Sequence, residues 1–169
     1  MPMTPVSLPA VPNESAPIRF RDRVRARTGD AELFVFRVGD ERFACDVRAV
    51  DEVLESPPMY PVPGAALAMA GVCQHAGRTL PVARAAALLG VDESAGGVVL
   101  VLRRGTEHVG LLVDDVDDVR AIELATLRPP PYEDDELLLA VHWDGATLLA
   151  LLDARAVVTA ATAVTRPGS

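Results

Sequence analysis

The sequence holds no lysine: its 16 basic residues are all arginine. Aromatic residues make up only 4 % of the 169, so a core has to come from Ala, Val and Leu. The two cysteines, Cys45 and Cys73, have no CxxC spacing. That excludes a disulfide scaffold and fits a reducing cytoplasm. No apolar run approaches the ~18 residues of a membrane helix. The proline-broken start lacks the apolar h-region of a signal peptide. A cytoplasmic chain with no direct membrane insertion is therefore expected. Positive charge is also in deficit, 24 acidic residues giving a net charge of −8. Binding to nucleic acid, which depends on neutralising phosphates, is not expected.

What is present is apolar material, 50 % of the chain. A chain of this size buries roughly 70 % of its unfolded surface without metal or disulfide staples. Residues 1–31 collect Pro2, Pro5, Pro9, Pro12 and Pro17, then Arg19, Arg21, Arg23, Arg25 and Arg27. This pattern predicts a flexible Pro/Arg-rich tail. Residues 161–169 read as a second tail, leaving 32–160 as the folded domain.

Within that domain, short apolar runs flank glycine turns. Residues 33–38 and 42–47 read as one hairpin, 70–75 and 78–82 as a second. Residues 98–103 and 108–113 give a third, 137–143 and 146–152 a fourth across Asp144-Gly145. Helices are expected over 48–54, 83–89 and 153–160, the second stopped by Gly90. Proline-rich links, Pro57 to Pro63 and Pro129 to Pro131, are irregular.

The first hairpin recurs. A shift of 66 carries Gly39 onto Gly105, Arg37 onto Arg103, Val50 onto Val116 and Asp51 onto Asp117. A shift of 68 carries Gly77 onto Gly145. Nearly equal shifts imply a duplicated unit. Small sheets protect their edges by closing, so the pattern predicts a mainly β fold of two barrels with a groove between them.

Catalytic constellations fail one by one. Cys45 sits in an apolar run beside Phe43 and Val47 and reads as a small buried hydrophobe. His75, His108 and His142 have no metal-ligand spacing. The acidic run 114–118 invites a calcium reading, but the sixth position of that loop is Val119, not glycine. It reads instead as a solvated acidic face beside Val113, Val116 and Val119. No phosphate-binding or nucleophile-elbow motif occurs. No enzyme activity, cofactor or metal is expected.

Six segments in order resemble the CheW-like coupling proteins of chemosensory arrays. Phe34-Val35-Phe36-Arg37-Val38-Gly39-Asp40-Glu41-Arg42-Phe43 is similar to the family's opening hairpin, and Asp46-Val47-Arg48-Ala49-Val50-Asp51-Glu52-Val53 to its D-I-x-x-V-x-E-I motif. The run from Ala70-Gly71-Val72 through Gly77 to Pro81-Val82 looks like x-G-V-x-N-L-R-G-x-x-V-P-V. Later matches are the segment 109–114, Leu127-Arg128-Pro129, and Trp143-Asp144-Gly145 through Asp153. The resemblance implies two interlocked five-stranded SH3-like barrels, pseudo-duplicated, with short helices. It also implies a non-catalytic scaffold joining a chemoreceptor's cytoplasmic hairpin tip to the regulatory domain of a CheA-type histidine kinase, and contact with other CheW-like copies. The partner-binding residues it implies are Val50, Glu52, Gly71, Gln74, His75, Ala76 and Gly77. Two positions depart from the pattern. Ala76 stands where the motif has arginine, removing five donors and a charge. Arg84 stands where the family has an acid, reversing the local sign. A divergent module that has lost the receptor and docks on a kinase, itself or another partner is the alternative.

Overall fold

The computed structural model describes residues 19–92, 96–132 and 135–166. Ten strands form two five-stranded sheets. In chain order they are β1 (Asp30–Val38), β2 (Glu41–Asp46), β3 (Val50–Glu55), β4 (Met69–His75), β5 (Arg78–Arg84), β6 (Val98–Arg104), β7 (Glu107–Val113), β8 (Asp115–Glu123), β9 (Leu138–Asp144) and β10 (Thr147–Leu152). Among the described residues three helices accompany them: α1 (Phe20–Ala26), α2 (Ala85–Leu89) and α3 (Ala154–Thr165).

The strand orders are β8-β1-β2-β10-β9 for sheet A and β3-β6-β7-β5-β4 for sheet B. Each sheet therefore joins two strands of one repeat to three of the other, which is the interlocking that the resemblance implies. β1 pairs with β2, but β3 leaves the hairpin that precedes it and pairs with β6. β8 makes the reciprocal exchange onto β1. The duplication extends to irregularities: the β3–β6 ladder is bulged between Val50 and Glu52, and the β1–β8 ladder between Phe34 and Phe36. Gly39 and Gly105 open their turns at φ of 61° and 63°.

The second half of the repeat has another register. Turn positions 76–77 and 145–146 align when the shift is 69, not 68, so Ala76 corresponds to Gly145 and His75 to Asp144. The two turn glycines, Gly77 and Gly145, are therefore not equivalent positions. Gly145 occupies the first turn position at φ 65°, whereas in the other hairpin that position is Ala76 at φ 52°, followed by Gly77 at φ 77°.

Three apolar cores follow from side-chain alternation along the strands. One lies inside sheet A, with Leu33, Val35, Ala44, Leu149 and Leu151. A smaller one lies inside sheet B, with Cys73, Leu80, Val82, Val99 and Val101. The largest joins the opposite faces of both sheets, with Phe36, Phe43, Leu100, Leu111 and, from α3, Val157 and Val158. The expected groove between barrels is thus mostly filled; a recess of about 20 Å³ remains beside Val38, Val113 and Asp114. Asp114 ties the sheets together. Its carboxylate accepts from the backbone N–H of Gly39 at 2.5 Å and of Gly96 at 2.8 Å.

The sheets are partly open barrels. β3 and β4 end the order of sheet B and do not share a ladder, yet Glu52 Oε1 of β3 lies 3.5 Å from His75 Nδ1 of β4. In sheet A, Arg120 of β8 is paired with Asp144 of β9. Side chains, not backbone hydrogen bonds, span each remaining gap.

Several local expectations need correction. Residues 48–54 are not a helix: Val47–Ala49 is a single 3-10 turn capped by Asp46, and Val50–Glu55 is β3. Arg, Ala, Glu and Leu favour a helix locally, but pairing Val53 with Leu100 and burying Val50 against the central core outweighs that preference. The helix expected over 83–89 begins only at Ala85, because β5 stays paired to β7 through Arg84. The helix expected over 153–160 runs to Thr165, with Asp153 as its cap, so part of 161–169 is not a tail. Nor is all of 1–31. α1 buries Phe20 and Val24, one turn apart, in the core of sheet A. The alternating arginines hid that pair. The acidic run 114–118 enters β8, and Val113 is buried in the central core.

Candidate functional site

The turns of β4–β5 and β6–β7 lie at one end of sheet B, because β5 and β7 run parallel with Val82 beside Gly110. β3 begins at that end, its Val50 opposite Leu102 near the close of β6. The rim so formed gathers charged and titratable groups. His75 Nδ1 lies 3.5 Å from Glu52, and His108 Nε2 lies 3.5 Å from Asp51. The two imidazoles stand 6.3 Å apart between ring centroids. Arg103 Nε lies 3.5 Å from Asp51 and its Nη2 donates to the Arg48 carbonyl at 3.4 Å. Arg48 in turn is held by Asp46, whose hydrogen bonds raise the guanidinium pKa further.

The seven predicted partner-binding residues divide within this geometry. Glu52 is exposed on the rim, Gln74, Ala76 and Gly77 are exposed on the adjoining turn, and His75 tucks its ring inward, 14 % exposed. Val50 is half-buried, two residues before Glu52, and packs on the central core. Gly71 is different. It is buried at φ 146°, and a Cβ there would stand 2.5 Å from the Tyr60 carbonyl oxygen. That requirement comes from the fold: the Pro57 to Pro63 link pairs Tyr60 with Val72 along the outer edge of β4. Arg84, the sign-reversed position, donates to the Leu67 carbonyl at 3.2 Å.

Sequence reasoning left Asp51, Arg103 and His108 out of the site. The signal was available in the repeat, where Arg103 and Asp51 each have a counterpart, Arg37 and Asp117. His108 corresponds to Arg42, and Arg42 is paired with Asp117 as His108 is with Asp51.

Cys45 is buried in the central core, where desolvation, aided by the Asp46 charge, pushes its thiol up to about 12. It stays protonated at neutral pH. Burial also raises Cys73. His142 has its pKa lowered by desolvation and by the nearby Arg120 charge, and its Nδ1 lies 3.3 Å from Thr126 Oγ1. Among the described residues no group of three or more His, Cys, Asp and Glu side chains is arranged to hold a metal ion. No described helix is long and apolar enough to cross a membrane.

A family model described as the CheW-like domain matches residues 32–162. A probable chemotaxis protein CheW of Rhizobium etli is 34 % identical over 112 residues, covering 64 % of this chain and 72 % of that one. The chemotaxis protein CheW of Rhizobium meliloti is 34 % identical over 106 residues, 61 % of this chain and 68 % of that one. Protein FrzA of Myxococcus xanthus is 33 % identical, with 63 % and 68 % covered. In three dimensions, the scaffolding protein TtCheW of Thermoanaerobacter tengcongensis superposes with a TM-score of 0.66 at 18 % identity, covering 73 % of this chain and 89 % of that one. The exchanged sheets, the duplicated hairpins and the match across 131 residues lead to one assignment: the chain belongs to the CheW-like family.

Proposed function

We propose that this chain is a non-catalytic coupling protein of a cytoplasmic chemosensory array, linking the hairpin tip of a chemoreceptor to the regulatory domain of a CheA-type histidine kinase. The observation that carries the reading is the rim of sheet B. There Glu52, Gln74, His75, Ala76 and Gly77, which occupy the positions of the family motifs, converge beside half-buried Val50, with no nucleophile among them. A rim of carboxylates and imidazoles around a modest apolar patch suits protein recognition, in which apolar contact supplies affinity and charge supplies register. Val50, Glu52 and the turn are the proposed contact residues; Gly71 supports them by holding β4 against the Tyr60 segment. Relatives called chemotaxis proteins support the same reading.

A divergent module that has lost the receptor is favoured by one specific feature. Ala76 takes a left-handed turn conformation, φ 52°, without the guanidinium that the family motif carries there. Co-purification with a receptor signalling fragment and with a kinase regulatory domain, each separately, decides between the two. Binding of both supports coupling; binding of the kinase alone selects the divergent module. Binding of neither at tens of micromolar contradicts coupling and leaves only a divergent module that docks on itself or on another partner.

A further inference from the structure

We infer that a cleft between α1, the start of α3 and the turn side of β6 is a binding site for a small molecule carrying two or three linked phosphates. The cleft has a volume of about 520 Å³. Four arginines from three places in the fold line it, Arg19 and Arg21 at the start of α1, Arg104 at the end of β6 and Arg155 in the first turn of α3, against two carboxyl side chains, Glu136 and Asp153. This is a concentration of positive charge on a chain whose net charge is −8.

The pairing within the cleft is incomplete. Arg21 reaches Asp153 Oδ2 at 2.8 Å and the Glu136 carbonyl at 3.3 Å, while its Nε is buried without a partner. Arg104 is held by Glu107 at 2.7 Å and by Thr159. Arg19 and Arg155 are exposed, and among the described residues no ion pair engages either guanidinium. Two positioned arginines and two free ones therefore face one recess. The guanidinium fork matches phosphate oxygens two at a time, and several such forks favour a ligand with more than one phosphate.

The start of α3 does not hold the anion through its backbone. Asp153 already accepts from the N–H groups of Arg155 and Ala156. Nor does the cleft offer an aromatic face, since Phe20 is only 9 % exposed. Apart from Thr159, its remaining lining is apolar, including Ala160 and Leu137. Recognition then rests on the phosphates and not on a base, so a nucleoside triphosphate and inorganic triphosphate are equivalent ligands.

The test is isothermal titration of the full chain with sodium triphosphate and with ATP at fixed ionic strength, with sulfate as a control. The inference expects saturable binding of both with affinities within about threefold of each other, and none of sulfate at the same concentration. Arg155→Glu should weaken both at least tenfold, whereas Arg166→Glu, an equal charge change elsewhere, should have little effect. The thermal melt of Arg155→Glu should match the parent, because a glutamate in the first turn suits the α3 dipole, whereas Arg166→Glu, at the C-cap, should melt slightly lower without changing ligand affinity. No saturable signal at millimolar ligand overturns the inference. So does equal weakening by the two variants, binding of ATP without triphosphate, or displacement by a glutamate-rich peptide as strong as by triphosphate.

Discussion

Sheets A and B have the same strand order, the same exchanged strand and the same bulge, yet their rims differ at nearly every matching position. Where sheet B places His108 against Asp51, sheet A places Arg42 against Asp117. Where sheet B bridges its open gap with Glu52 and His75, sheet A uses Arg120 and Asp144. Gln74 of β4 corresponds to Trp143 of β9, which is 55 % exposed beside its cross-strand partner Leu148. Duplication kept the backbone, whose hydrogen bonds and buried faces tolerate little change. It released the rims, where a surface ion pair contributes only about 0–1 kcal/mol whichever residues form it. Function can therefore differ between two halves that fold alike.

The interiors differ too, and there the differences have a stability cost. Gly71 of sheet B corresponds to Ala140 of sheet A, both buried. Gly71→Ala should destabilise by about 2–4 kcal/mol, since the new Cβ meets backbone at a φ that alanine avoids. Ala140→Gly should cost only about 1 kcal/mol. Urea unfolding of the two variants checks the ratio, and equal losses would remove the asymmetry argued for the Tyr60 segment.

Asp114 and Arg48 form the next pair, one at each repeat's exit from its hairpin. Asp114→Ala strands two backbone N–H groups between the sheets and should cost about 1–3 kcal/mol. Arg48→Ala removes an exposed ion pair with Asp46 and should cost less than about 1 kcal/mol. The same unfolding measurement reads both.

How far the sequence revealed this architecture follows the range of the forces involved. The four hairpins were legible because turn glycines and alternating apolar residues are local signals. The duplication was legible because both copies of the first turn kept a glycine. The exchange of β3 and β8 was not deducible from spacing, since a strand carries no mark of which hairpin it will join; it entered through the family resemblance. β3 itself was misread as helix for the same reason. α1 was missed because only two of its residues, Phe20 and Val24, face the core. At the site, Glu52 and the 74–77 turn were found by motif, while Asp51, Arg103 and His108 came into view only when the strands were placed side by side.

A smaller effect should be seen at the thiols. Cys45 and Cys73, both buried and both raised in pKa, should resist iodoacetamide in the folded chain at pH 8 and react once it is unfolded. Rapid native labelling of Cys45 would contradict its place in the core. The smallest effect is one of pH. His142 of sheet A stands where sheet B has Cys73, and its folded pKa lies below the ordinary value of about 6.5. The unfolded chain therefore takes up this proton first, so stability from this site is full above about 6.5 and declines as the pH falls through it. His142→Cys, copying sheet B, should flatten the dependence of the urea midpoint between neutral pH and pH 5; an unchanged slope would assign the effect to other groups.

The central claim is that partner recognition belongs to the rim of sheet B and not to its counterpart on sheet A. Surface plasmon resonance of a CheA-type kinase regulatory domain and of a receptor signalling fragment against the chain tests it, with Glu52→Arg compared to the matching substitution Asp118→Arg. The account predicts at least a tenfold loss of affinity, about 1.4 kcal/mol, for at least one of these two partners with Glu52→Arg, and a loss of less than about threefold for either with Asp118→Arg. Equal losses, or a loss confined to Asp118→Arg, would contradict it.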